Sequence, residues 1–168
     1  IGTNGRMMSV QAVIGSRQLQ LLPDWRDIRT RNANAIRDVL ADLDALRTPA
    51  PGPHIRHAYY RFYTFVRPEC LRSDWNRDRI VAKVNAAGVP CFSGSCSEMY
   101  LEKCFVENGL APQERLPVAR ELGETSIALL VDPTIDIGTA RRNGAILRDV
   151  VARATATAPA QTLVVAGS

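Results

Sequence analysis

Apolar residues recur at helical spacing through residues 9–43, then give way to shorter, denser apolar runs separated by glycine and proline. Val10, Val13, Ile14 and Leu21 fall on one face of a helix opening near Ser9, a residue type that caps helix N-termini well. Pro23, followed by Asp24 and Trp25, predicts a helix end and a fresh start, because proline lacks the N–H that the preceding turn requires. A second helical stretch carries Trp25, Ile28, Ile36, Val39, Leu40 and Leu43 at three- and four-residue spacing, with Arg26, Arg29, Arg31 and Arg37 on other faces. Together these predict a long bent helical arm. The run Thr48-Pro49-Ala50-Pro51-Gly52-Pro53 ends it, since its prolines and glycine cannot continue a helix.

Residues 57–66 (HAYYRFYTFV) carry the strongest strand signal, aromatic and β-branched, closed by Arg67-Pro68. Residues 76–87 read as a helix with Ile80, Val81 and Val84 inward and Gly88 as its stop. A short strand over 89–92 leads into Ser93-Gly94-Ser95, and a short helix over 98–106 precedes Asn108-Gly109. Residues 117–124 suggest another helical turn or two. The continuous apolar run 127–131 predicts a buried strand. Residues 135–154 form the last expected helix, with Ala140, Leu147, Val150 and Val151 inward. The tail, 155–168, is rich in Ala and Thr; Leu163-Val164-Val165 could add a strand, but fraying is the expectation. The resulting fold class is α/β: a helical arm over 1–47, a small sheet covered by helices over 48–154, and a flexible tail.

Composition changes this picture little. At 168 residues, with 46% hydrophobic and 23% charged positions, the chain fits one domain of ordinary globular usage. The net charge of +4 is scattered among acidic residues without a basic run, so nucleic acid is not expected as a partner. Four cysteines are few for a disulfide scaffold, and no apolar stretch approaches a membrane span, so a reducing, cytoplasmic setting is expected. Lys83 and Lys103 are the only lysines, which leaves two candidates for any Schiff-base chemistry.

Candidate chemistry is sparse. His54 and His57 with Cys91, Cys96 and Cys104 offer ligand types for a metal, yet their spacing does not match a compact zinc module, and no metal site is expected. Glu98, Glu102, Asp132 and Asp136 could serve acid–base work by type, but Glu98 and Glu102, four apart on a helix, fit a solvated face, and helix capping explains Asp24, Asp74 and Thr134 equally well. The tyrosines of the 57–63 segment could stack on a base or sugar, although one core face and one interface face is the commoner outcome. The clearest feature is the turn Gly2-Thr3-Asn4-Gly5-Arg6-Met7 feeding a helix. Glycine permits close backbone approach, Asn4 and Arg6 supply donors, and a helix N-terminus favours anions. A chain that opens on such a turn is expected to be the C-terminal piece of a longer protein.

Taken together, several segments resemble one family. Asn4-Gly5-Arg6-Met7-Met8-Ser9-Val10-Gln11-Ala12-Val13-Ile14-Gly15 is similar to the N-x-R-M-[ST]-x-x-Q-A-A-I-G signature of the DegT/StrS-type nucleotide-sugar aminotransferases, pyridoxal-phosphate (PLP) enzymes of the aspartate-aminotransferase fold. The likeness continues through Arg29-Thr30-Arg31-Asn32-Ala33, His57-Ala58-Tyr59-Tyr60, Ala87-Gly88-Val89-Pro90 and Leu116-Pro117-Val118-Ala119. The resemblance implies the small domain of a fold-type-I PLP enzyme, with a mostly antiparallel sheet. It implies a homodimer that moves an amino group from an amino acid, glutamate being expected, to a keto-sugar nucleotide in polysaccharide or antibiotic-sugar biosynthesis.

It also implies that Asn4 reaches the PLP phosphate of a partner subunit and that Arg6 contacts substrate phosphate or the interface. The Schiff-base lysine would belong to a larger N-terminal domain, leaving Lys83 and Lys103 at the surface, no catalytic residue in this chain, and the chain alone inactive. Two departures stand out: Gly5 replaces a common aromatic residue, and Cys91-Phe92-Ser93-Gly94-Ser95-Cys96 replaces a histidine-bearing segment that contacts the nucleotide sugar. Some members act as sensors or dehydratases. The alternative reading is a non-catalytic dimerisation or binding module with an arginine-rich helix.

Overall fold

The computed structural model describes residue 5 and residues 7–155. Its longest element is a single helix, α1 (Ser9–Leu40), running through Pro23 without a break. The expected interruption there does not occur. Proline removes one donor and crowds the preceding turn, but the stretch around it is solvent-exposed, and the helix beyond it is fixed by tertiary packing that overrides the local penalty. The cap is also shifted. Met8, rather than Ser9, occupies the N-cap position, and its backbone N–H is satisfied by Gln11 Oε1 at 3.1 Å.

Two short turns lead from α1 to β1 (Leu46–Arg47), followed by β2 (Phe62–Val66), α2 (Arg77–Ala86), β3 (Cys91–Phe92), α3 (Lys103–Val106), α4 (Pro117–Thr125), β4 (Ser126–Leu129) and α5 (Ile137–Ala154). The strands form one sheet of order β1-β2-β4-β3, every pair antiparallel. β1 was not apparent from periodicity, since two residues carry no pattern. It extends the sheet into the segment that sequence reading assigned to the arm, pairing Leu46 with Val66. The expected strand over 57–66 begins only at Phe62. Tyr59 adopts a left-handed conformation (φ 45°), which takes the chain before it out of the extended path. β4, four residues long, offers partners only for Phe62 to Phe65.

α2 and α5 obey their local signals. Asn76 Oδ1 accepts from Arg79 N at 2.8 Å to start α2, and left-handed Gly88 lies just beyond its end. Asp136 caps α5, accepting from Thr139 N at 2.9 Å. Ile36, Phe62, Ile80, Val84, Ile127, Leu129, Leu147 and Val151 meet in one core with no more than 1% exposure each. Each such side chain contributes about 1.5–3 kcal/mol relative to leaving it in water. The core lies between the sheet and the helices, and the C-terminal half of α1 belongs to it: Ala33, Ile36 and Leu40 are buried against α5. Among the described residues no helix is long and apolar enough to cross a membrane.

The seam between α1 and α5 is close because Gly144 sits where a side chain would meet Ile36 and Val39. A Cβ there would come to 3.4 Å from Ile36 Cα and 3.5 Å from Val39 Cβ. Gly144→Ala is therefore expected to be neutral or to stabilise by up to about 1 kcal/mol through helix propensity. Gly144→Leu must push the helices apart and is expected to cost about 1–3 kcal/mol, both read by urea denaturation.

Candidate functional site

Asn4 and Arg6, the two residues singled out for anion contact, lie outside the described residues. Gly5 between them is exposed, and a Cβ on it would meet nothing within 4 Å. Beyond it, α1 presents an apolar strip. Met7, Met8, Val10, Val13, Ile14, Leu19 and Leu22 are all more than half exposed. Of the expected face, Val10, Val13 and Ile14 are uncovered within this chain while Leu21 is half-buried, and Met7, Met8, Leu19 and Leu22 carry the exposed apolar surface around more of the helix than one face. Its far end deepens into a cavity of about 490 Å3 lined by Leu22, Trp25, Arg29, Arg56 and Tyr60.

The arginines of α1 do not form an exposed basic face. Arg29 Nη1 donates to the backbone carbonyls of Tyr59 (3.1 Å) and Tyr60 (3.2 Å). Arg37 Nη2 donates to the Tyr59 hydroxyl at 2.6 Å, and Arg26 is paired with Asp27 at 2.9 Å. Arg31 alone of the four is exposed. Tyr59 is buried, with its N–H donating to His57 Nδ1 at 3.0 Å and its ring edge-on to that imidazole. The tyrosine segment is therefore split: Tyr59 is held inward by two α1 arginines while Tyr60 is exposed. No sequence signal marks Tyr59 for a left-handed turn, since that conformation ordinarily selects glycine or asparagine.

The loop after β3 is pinned to the sheet. Arg77 Nη1 donates to Ser93 O (3.1 Å) and Ser126 O (2.9 Å), and the Ser126 hydroxyl donates to Ser93 O at 2.5 Å. Gly94 has φ +90°, and a Cβ on it would lie 2.7 Å from Ser126 Oγ, so this position requires glycine on two counts. Tyr63 and Ser95 share a hydroxyl hydrogen bond of 2.8 Å. The loop is thereby held at the β3–β4 edge of the sheet.

Further along, Glu98 accepts from Arg115 Nε and from the Tyr100 hydroxyl, each at 2.7 Å, while Arg115 Nη2 reaches its other oxygen and also Glu124. The Arg115 contacts hold the Glu98 carboxyl down at about 2. Glu98 is thus an ion-pair partner, not a proton donor or acceptor near neutral pH. Asp132 is likewise lowered by Thr134, whose hydroxyl and N–H it accepts, and Asp136 by its cap to Thr139. The four carboxylates named from the sequence do not assemble an acid–base pair.

Cys91 is buried in β3, and burial pushes its thiol up to about 11, while Cys96 and Cys104 are exposed and all four cysteines are free. Among the described residues no group of three or more His, Cys, Asp or Glu side chains is arranged to hold a metal ion. Lys83 on α2 and Lys103 on α3 are both exposed, and neither lines any of the cavities described here.

Comparison with known proteins gives these segments a context. The model of the DegT/DnrJ/EryC1/StrS aminotransferase family matches residues 1–147. An aminotransferase from Psychrobacter cryohalolentis of known structure is similar at 44% identity and TM-score 0.84, over 92% of this chain and 41% of that one. The Escherichia coli GDP-4-keto-6-deoxy-D-mannose-3-dehydratase, solved with bound hydrated PLP, shares the fold at 19% identity and TM-score 0.70, over 87% of this chain and 36% of that one. Among curated proteins, the erythromycin biosynthesis sensory transduction protein EryC1 of Saccharopolyspora erythraea is 28% identical over 132 residues, 79% of this chain and 34% of that protein. The chain thus spans about a third of the curated relative and about two fifths of the first structural one.

The Glu98–Arg115 clamp gives a pH signature. Because the folded-state carboxyl sits below its ordinary value of 4.5, its contribution is complete above that value and is lost as pH falls toward about 2. Glu98→Gln is expected to flatten the acid limb of stability over that interval, measured by thermal melts in a pH series.

Proposed function

The chain belongs to the DegT/DnrJ/EryC1/StrS aminotransferase family, and from that premise we propose that the protein acts, at the full length of its relatives, as a PLP-dependent sugar aminotransferase. It would move an amino group from an amino acid, glutamate being the expected donor, to a keto-sugar nucleotide in cytoplasmic synthesis of lipopolysaccharide, capsule or antibiotic sugars. The observation that carries this reading is the family match over residues 1–147 together with 44% identity to an aminotransferase of known structure.

The described residues do not themselves accommodate PLP chemistry. A cofactor aldehyde needs a lysine in an enclosed site, and Lys83 and Lys103 are exposed on α2 and α3. We infer that the lysine lies outside this chain and that the chain alone is inactive, so no chemical step is assigned to its residues. PLP, when bound, supplies the electron sink for the reaction. What this chain would contribute is binding and assembly. Asn4 would donate to the cofactor phosphate of a partner subunit, and Arg6 would contact a substrate phosphate or the subunit interface. The exposed strip from Met7 to Leu22 supports a homodimer in which that face is covered.

A second reading, a non-catalytic binding or dimerisation module, is favoured by the sensory name of the curated relative. The bonding of Arg26, Arg29 and Arg37 within the chain weighs against its arginine-face form.

The test is made on the protein at the length of its relatives, by PLP uptake and by conversion of glutamate to 2-oxoglutarate with keto-sugar nucleotides. The expected result is stoichiometric PLP and turnover, with Asn4→Ala weakening PLP retention about tenfold, the effect of losing one charge-assisted hydrogen bond. A protein that binds no PLP, or binds it without amino transfer, overturns the reading.

A further inference from the structure

A second anion-friendly feature lies where α1 meets the proline-rich loop before Tyr59. A cavity of about 370 Å3 is lined there by Arg26, Asn34, Arg37, Arg56, His57 and Tyr59. The volume is at the lower end of the roughly 300–1,000 Å3 usual for small-molecule sites. Three arginines face one carboxylate in that lining, Asp27, and Asp27 is already paired with Arg26. The larger cavity beside β1 and α4 differs, since its four arginines (Arg47, Arg67, Arg115 and Arg120) face four carboxylates (Glu69, Glu114, Glu121 and Glu124), and Arg47, Arg115 and Arg120 are ion-paired with Glu121 or Glu124.

The donors of the smaller cavity are unequally used. Arg37 spends Nη1 on Asn34 Oδ1 and Nη2 on the Tyr59 hydroxyl, while its Nε is buried with no hydrogen-bond partner among the described residues. That N–H is closed off from solvent and is not itself offered to the cavity, so what Arg37 brings to the cup is the positive charge of its guanidinium. Because the Tyr59 oxygen accepts from Arg37, its own proton remains free to be donated. His57 Nδ1 accepts from Tyr59 N, which leaves the other ring nitrogen as the N–H donor. The Asn34 oxygen is taken by Arg37, so its amide N–H groups are what it has left to offer. The cup therefore has surplus donors, surplus positive charge and one carboxylate acceptor already committed.

Its framework is held in place as well. Tyr59 keeps its left-handed backbone because Arg29 takes its carbonyl, His57 takes its N–H and Arg37 takes its hydroxyl. A strained, over-determined residue in the lining of a donor-rich cavity is a pre-organised arrangement.

We propose that this cup binds the phosphate group of a small phosphate monoester. Phosphate presents several acceptor oxygens around a dianion, which suits guanidinium donors of this kind better than a lone carboxylate does. The size of the cavity favours a small molecule over an extended polymer. The proposal rests on the cup's own residues and is independent of the aminotransferase reading.

The test uses the full chain and two probes, inorganic phosphate and glycerol 3-phosphate, titrated by calorimetry and by amide NMR at low ionic strength, with acetate as control. Saturable binding of both probes is expected, stronger than acetate, with shifts at Tyr59 and Asn34. Arg56→Ala and Asn34→Ala, both at exposed positions, should each weaken binding about tenfold. Arg141→Ala, exposed on α5, should leave it unchanged. The proposal is overturned if the wild-type chain shows no saturable binding. It is equally overturned if either cup variant binds as the wild type does, or if Arg141→Ala weakens binding as much as they do. Circular dichroism of each variant separates loss of binding from loss of fold.

Discussion

The close seating of α5 on the C-terminal half of α1 is the contact on which the rest of the molecule depends. Gly144 leaves room for Ile36 and Val39, so the two helices approach backbone to side chain. Polar contacts tie the same seam: Asn32 Nδ2 donates to Ile135 O at 2.8 Å, and Arg148 reaches Val39 O and Asp42 across from α5. Because α5 also packs on α2, the seam makes one end of α1 part of the core while the other end extends beyond it.

This arrangement explains the unequal fate of the arm's side chains. Past Pro23, Arg29 and Arg37 find carbonyls and a phenol within their own chain and become part of the framework. Before Pro23, Met7, Met8, Val10, Val13, Ile14, Leu19 and Leu22 remain more than half exposed.

Much of the fold was legible in the sequence where pattern and packing coincide. The inward residues of α2 and α5, the stop at Gly88 and the buried run at β4 follow from periodicity and local chemistry, and the structure places them as expected. The misreadings have a common physical origin, long-range contacts that a local pattern does not carry. Pro23 reads as a break because the packing of the helix beyond it is invisible in sequence. The strand start at Phe62 depends on Arg29 capturing carbonyls thirty-odd residues away. β1 exists only because β2 is there to pair with it. The candidate site was legible in a different way: the Asn4–Gly15 segment carries the family likeness, while the donor cup around Arg37 has no motif and emerges only from the three-dimensional arrangement.

The central claim of the account is that Asn4 serves a cofactor site belonging to the other subunit. It is tested most directly by mixing, at full length, subunits carrying Asn4→Ala with subunits whose cofactor lysine has been replaced. A site shared between subunits regenerates one intact centre in each mixed dimer, so at PLP concentrations too low to load Asn4→Ala sites, activity should rise to about a quarter of wild type at equal mixing, the statistical share of a two-fold assembly. Mixtures that remain as inactive as the separate variants would contradict it.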